Sequence, residues 1–214
     1  QITHDLLDFA KKFHVIYNGM EIPAEPDETK RRKNKFIFSG TLNRKKGIIP
    51  LIKAAVALYQ QGIDFTLDLY GKDTTEPGLG SMKAYARSLI PEQAQSHIVF
   101  KDAVPRSVLF KAYQEAQIAV FPSMAEAFSM APMEAMACGC CTVYSRQTSA
   151  AELIEQGIDG WLVEPAQEEP LFATLKRLLA DPALARQTGR HGREKIIRCF
   201  SKERMVEETL LFYQ

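Results

Sequence analysis

The chain has 214 residues, 46% of them apolar, with 27 Lys and Arg against 26 Asp and Glu. At roughly 150 residues per domain this is one large domain or two small ones, long enough to bury a core and too apolar for disorder. The formal net charge of +1 argues against a general nucleic-acid binder.

In chain order, a helix is expected over residues 3–13 and a short β-type run over 14–17. Pro and charge mark 23–34 as a loop, and 35–39 reads as a strand. A single apolar face then predicts a helix from Ile48 to Tyr59, with Pro50 tolerated in its first turn. Further strands are expected over 64–70, 97–100, 118–121, 141–145 and 160–163. Between them, helical patterns cover 82–89, 107–116, 131–137 and 150–155, and Thr and Gly make 73–80 a loop. Helices over 168–180, 182–199 and 201–213 close the chain, the last with Ser201 as cap.

Strands that alternate with helices call for a parallel sheet covered on both faces. Runs such as Phe36–Phe38 and Ile118–Phe121 are apolar with little alternation, as burial on both sides requires. The predicted fold is therefore α/β, a doubly wound Rossmann-like sheet of about six strands. In such sheets ligands sit beyond the carboxyl ends of the strands.

Two strand-end segments carry chemistry. Gly40-Thr-Leu-Asn-Arg-Lys-Lys46-Gly47 follows a strand and opens a helix, where glycines, lysines and a helix N-terminus favour phosphate. The Walker spacing is absent, and a solvated basic loop is the plainer alternative. Pro122-Ser-Met-Ala-Glu126-Ala-Phe-Ser129-Met-Ala-Pro-Met-Glu134 leads from a strand into a helix that Gly139 can end. Ser129 is the expected N-cap, with Glu126 before the helix and Glu134 about one turn inside it. Paired carboxylates also suit a glycosidase acid and base, or two surface glutamates. Four Cys without framework spacing and no Asn-x-Ser/Thr fit a reducing, cytoplasmic compartment. No apolar run approaches the ~20 residues of a transmembrane helix. Cys138, Cys140 and Cys141 read as buried thiols rather than a metal site.

Glu126-x7-Glu134 followed by Ala-Met-Ala-Cys-Gly139 resembles the signature of the retaining glycosyltransferases of the GT-B fold, and more narrowly of the large group-1 family (family 4). Four further pieces strengthen the resemblance: His14-Val-Ile-Tyr-Asn-Gly19-Met, Phe38-Ser-Gly-Thr-Leu…Lys46-Gly47, Ile118-Ala-Val-Phe-Pro-Ser123, and Glu152-Leu-Ile…Gly157…Gly160-Trp-Leu-Val. The resemblance is to the C-terminal, donor-binding half of such an enzyme. It implies that residues 14–199 bind a nucleotide-diphosphate sugar as co-substrate, with no cofactor and no metal. Residues 1–13 would be the tail of an N-terminal acceptor domain, and 200–214 a helix packing back toward it. Membrane association would come only through that missing domain, and the fragment alone would be inactive.

The resemblance also implies roles. Glu126 contacts hydroxyls of the donor hexose, Glu134 accepts from the ribose, and Lys46 neutralises the leaving diphosphate beside Gly40 and Thr41. The backbone of Ala127, Phe128, Ser129 and Met130 holds phosphate and sugar, while Tyr70, Gly71, Lys101 and Val104 flank the base. Thr41 stands where the family has Arg, and Ala127 and Ser129 where it has Gly. These departures motivate the alternative of a nucleotide-sugar binding module without transfer. An unrelated Rossmann oxidoreductase is disfavoured, because Gly-x-Gly-x-x-Gly after the first strand is absent.

Overall fold

Strands that are apolar on both faces are stable in a parallel sheet with helices on each side. The computed structural model describes residues 14–165 and 167–213, so the helix expected over 3–13 lies outside the described residues. It contains six sheet strands: β1 (Arg32–Ser39), β2 (Thr66–Tyr70), β3 (Ile98–Lys101), β4 (Ala116–Phe121), β5 (Cys141–Ser145) and β6 (Trp161–Val163). All pair in parallel, in the order β3-β2-β1-β4-β5-β6. That is the doubly wound order, with its switch point between β1 and β4.

Among the described residues the helices are α1 (Ile48–Gln60), α2 (Met82–Ser88), α3 (Arg106–Glu115), α4 (Met130–Ala137), α5 (Ala150–Leu153), α6 (Glu168–Ala180), α7 (Pro182–Cys199) and α8 (Lys202–Phe212). Alternate strand residues feed two cores. Phe36, Phe38, Leu67, Leu69, Ile118 and Val120 pack with α1, α2 and α6. Ile37, Ala119, Phe121 and Tyr144 face α3, α4 and the C-terminal part of α7. Each fully buried Leu, Ile or Phe contributes about 1.5–3 kcal/mol, so the central strands hold the sheet. Ser81, Asp181 and Ser201 cap α2, α7 and α8 by accepting from the Ala84, Leu184 and Arg204 N–H groups.

The structure corrects three details. Residues 14–17 form no strand, and the first bridge beyond them is that of Met20 with Ser201. Tyr17 instead packs its ring against Phe128 and Phe200 at 5.7 and 5.3 Å between ring centres, and Val15 is exposed. β1 starts three residues before Lys35, at Arg32, because a register shift toward β4 accommodates Asn34 at φ +60°. The Gln117 side chain accepts from the Asn34 N–H at 2.7 Å and steadies that conformation. Residues 73–80 are not merely a loop: Thr75–Glu76 and Gly80–Ser81 pair as a two-stranded hairpin. The hairpin leans on the segment after β1, where Glu76 accepts from the Arg44 N–H at 3.2 Å.

Candidate functional site

At the switch point, the segments leaving β1, β2 and β4 meet, and two glycines make the meeting possible. A Cβ on Gly71 would lie 1.8 Å from the Gly40 carbonyl oxygen, and one on Gly47 would lie 1.9 Å from that of Pro122. Gly47 also has φ +73°, which L side chains rarely adopt. Backbone bonds lock the contact: Gly40 N–H donates to Tyr70 at 3.0 Å, and Met124 N–H donates to Lys45 at 2.7 Å. Within the first loop, Asn43 Oδ1 accepts from the Lys46 N–H at 2.8 Å. The Lys46 ammonium is thereby carried to the mouth of the strands on a stiff turn.

Above this junction lies a cleft of about 420 Å³, walled by Gly40, Thr41 and Lys46 on one side and Ser129, Met130 and Glu134 on the other. Tyr70, Gly71 and Val104 close its far end. Ser129 has the extended backbone of an N-cap, but its hydroxyl does not cap α4, contrary to expectation. Pro132 in the first turn has no N–H to offer. The Met130 and Ala131 N–H groups therefore have no acceptor among the described residues and border the cleft. An open helix N-terminus of this kind carries partial positive charge and favours an anion.

Each carboxylate of the pair meets one cation. Glu126, before α4, forms a direct ion pair with the Lys46 ammonium, and its side chain is 13% exposed. Glu134, inside α4, accepts from Arg106 Nε at 2.8 Å. Burial pushes the Glu134 carboxyl up from its ordinary value, while the Arg106 charge and hydrogen bond pull it back. A carboxylate inside an otherwise apolar helix face is tolerable on these terms.

The cleft thus assembles Gly40, Thr41, Lys46, Tyr70, Gly71, Val104, Ser129, Met130 and Glu134, with Glu126 joined through Lys46. Three further expected residues are not among those lining it. The Phe128 ring stacks on Tyr17 and Phe200, and Ala127 is exposed in the loop. Lys101 turns to Asp68 at 3.0 Å and to the Tyr70 hydroxyl at 3.3 Å. Burial lowers the Lys101 pKa, but Asp68 and Tyr70 outweigh it and hold it above the usual lysine value. Sequence reasoning missed Arg106, the residue next after the strand-end segment 101–105. It also missed Tyr113, whose buried hydroxyl hydrogen-bonds Ser39 at the cleft floor. Among the described residues no group of three or more His, Cys, Asp or Glu could hold a metal ion.

Residues 22–195 match the family model of the glycosyl transferases group 1. The chain belongs to this family. It is 31% identical to the MMP alpha-(1->4)-mannosyltransferase of Mycolicibacterium hassiacum, over 98% of this chain and 50% of that protein. The sucrose-phosphate synthase of Thermosynechococcus elongatus superposes with a TM-score of 0.79 at 27% identity, covering 94% of this chain and 51% of that one. The chain spans about half the length of the curated relatives it matches. A solved C-terminal domain of a group 1 glycosyl transferase family protein from Francisella tularensis shares the fold at 20% identity and a TM-score of 0.68. The alignment covers 88% of this chain and 97% of that domain.

Proposed function

We propose that this group 1 glycosyl transferase chain is the donor-binding half of a retaining hexosyltransferase that uses a nucleotide-diphosphate sugar without a metal. The observation that carries the reading is the placing of Glu126 and Glu134, each beside a cation, on either side of an open helix N-terminus that borders the cleft. In transfer, the bond from the sugar carbon to the diphosphate oxygen breaks and the diphosphate keeps the electron pair. The acceptor oxygen bonds that carbon, and its proton passes to the departing diphosphate. Negative charge therefore grows on the diphosphate, where Lys46 and the Met130 and Ala131 N–H groups are poised to meet it. Glu126 accepts hexose hydroxyls, and Glu134 accepts those of the ribose. Tyr70, Gly71 and Val104 flank the base.

Retention rests on the likeness of Glu126-x7-Glu134 to the family motif. The acceptor is held by an N-terminal domain, and the half-length match to the relatives supports this division. Residues 14–199 hold the donor, and 200–214 return toward the partner domain. Consistent with a partner there, α8 buries none of its residues and exposes Val206, Leu210 and Leu211. Three buried, unpaired cysteines suit a cytoplasmic setting, and no helix among the described residues is long and apolar enough to cross a membrane. The alternative, donor binding without transfer, draws on the cleft itself: Thr41 brings no cation to its phosphate wall.

Thermal shift of the chain against UDP, GDP, ADP and their hexose conjugates, in EDTA, tests the reading. At least one diphosphate and its conjugate should raise Tm by mass action. No shift with any of them, or a shift only with nicotinamide dinucleotides, contradicts it. Turnover by the chain joined to its acceptor domain separates transferase from binding module.

A further inference from the structure

Arg106 is the first residue of α3, directly after the Val104-Pro105 segment that borders the cleft. Its guanidinium lies 4.9 Å from the centre of the Phe110 ring, one turn along the same helix, in cation–π contact. Its Nε donates to Glu134 Oε1 at 2.8 Å. An aromatic plate and a carboxylate thus fix a side chain that is otherwise half exposed. The ion pair engages Oε1 of Glu134, and Glu134 itself lines the cleft.

We propose that Arg106 is the positioning residue for ribose recognition, holding Glu134 charged and in one orientation so that its other oxygen accepts the ribose hydroxyls. The inference rests on the donor-binding reading above and assigns that site a residue of α3. The helix that supplies Arg106 and the helix that supplies Glu134 come from opposite sides of β4 in the chain, so the pair also fixes the spacing between them.

A pH signature follows. The groups near Glu134 are Arg106 and Tyr113 from α3 and Cys138 from α4, with the ammonium groups of Lys46 and Lys72 elsewhere in the cleft lining. Burial holds the Tyr113 phenol well above its ordinary value and pushes the Cys138 thiol up to about 12, so both stay neutral through the accessible range. Burial raises the Glu134 carboxyl from its ordinary value, and only Arg106 opposes that burial. The ionised carboxylate is the ribose acceptor, so affinity is full above the Glu134 pKa and falls as pH drops through it. Removing Arg106 leaves burial unopposed and moves that fall to higher pH.

The experiment is calorimetric titration from pH 5 to 8.5 of the wild type, Arg106→Gln and Arg106→Lys. The ligands are whichever of UDP, GDP or ADP the chain binds and its 2′,3′-dideoxy counterpart, which lacks the hydroxyls. Arg106→Gln should stay within about threefold of wild type at pH 8.5 and lose roughly a further five- to tenfold by pH 5.5. The loss should vanish with the dideoxy ligand, and Arg106→Lys should restore most of the wild-type profile. An unchanged pH profile in Arg106→Gln overturns the proposal. So does an equal loss for both ligands at every pH, which marks a structural residue. If the wild type binds none of the three diphosphates, the donor-binding reading itself fails.

Discussion

Lys46 and Glu126 neutralise each other across the cleft mouth, one from the turn after β1 and the other from the loop before α4. Under the donor reading both are ligand groups, Lys46 for the diphosphate and Glu126 for the hexose. Without donor, each occupies the other. A free nucleoside diphosphate must draw Lys46 away and leave a half-buried carboxylate alone, whereas the sugar conjugate offers Glu126 its hydroxyls in return. On that reading the two halves of the donor are recognised cooperatively.

This predicts an asymmetric outcome for Glu126→Gln. Free diphosphate should bind more tightly, by on the order of 1 kcal/mol, since Lys46 no longer has to leave an ionic partner. The hexose conjugate should bind no more tightly, or more weakly. Parallel titrations of the two ligands on wild type and variant measure the difference. Tighter binding of both ligands by the same factor would show that Glu126 does not touch the hexose.

On the donor reading the first loop brings Lys46 to the diphosphate, and Thr41 stands where the family motif has Arg. Lys46→Ala should cost the diphosphate about 1.5–3 kcal/mol, the usual loss for a charge-assisted hydrogen bond. Thr41→Arg should restore a cation at the wall and tighten binding. EDTA should change neither affinity. Loss of binding on chelation, or an indifferent Lys46→Ala, would place the phosphate elsewhere.

Gly71 is required by packing rather than by backbone dihedral, because a Cβ there runs into the Gly40 carbonyl. Gly71→Ala must push the β1 turn outward. Overpacking of this kind costs about 1–3 kcal/mol, which lowers Tm by roughly 2–12 °C in a chain of this size. Because Gly40 and Thr41 move with the turn, diphosphate affinity should fall as well. A variant with wild-type Tm and affinity would show that the two loops are not in register as described.

Much of this was legible in the residues themselves. Sheet strands that are apolar on both faces, such as Phe36–Phe38 and Ile118–Phe121, can be read because double burial leaves no alternation to confuse. Gly139, at φ +70° after α4, ended the helix as its position suggested. Residues 14–17 misled because four apolar or aromatic residues look alike whether they enter a ladder or stack as rings, as Tyr17 does. The uncapped Ser129 could not be read either: a Ser before a helix signals a cap, but its rotamer is decided by the surroundings. Arg106 was hidden for a different reason. Its partner Glu134 lies 28 positions on, and only the packing of α3 beside α4 brings the charges together.

On the donor reading Glu134 accepts the ribose hydroxyls of a nucleoside diphosphate bound in this cleft, and titration of one variant decides it. Glu134→Ala, checked by circular dichroism for folding, is titrated with the free diphosphate and with its hexose conjugate, in EDTA. Both ligands carry the ribose, so both should weaken by the same factor, on the order of 1.5–3 kcal/mol for a charged acceptor. Wild-type affinity for either ligand in the folded variant, or a loss confined to the conjugate, would contradict the claim.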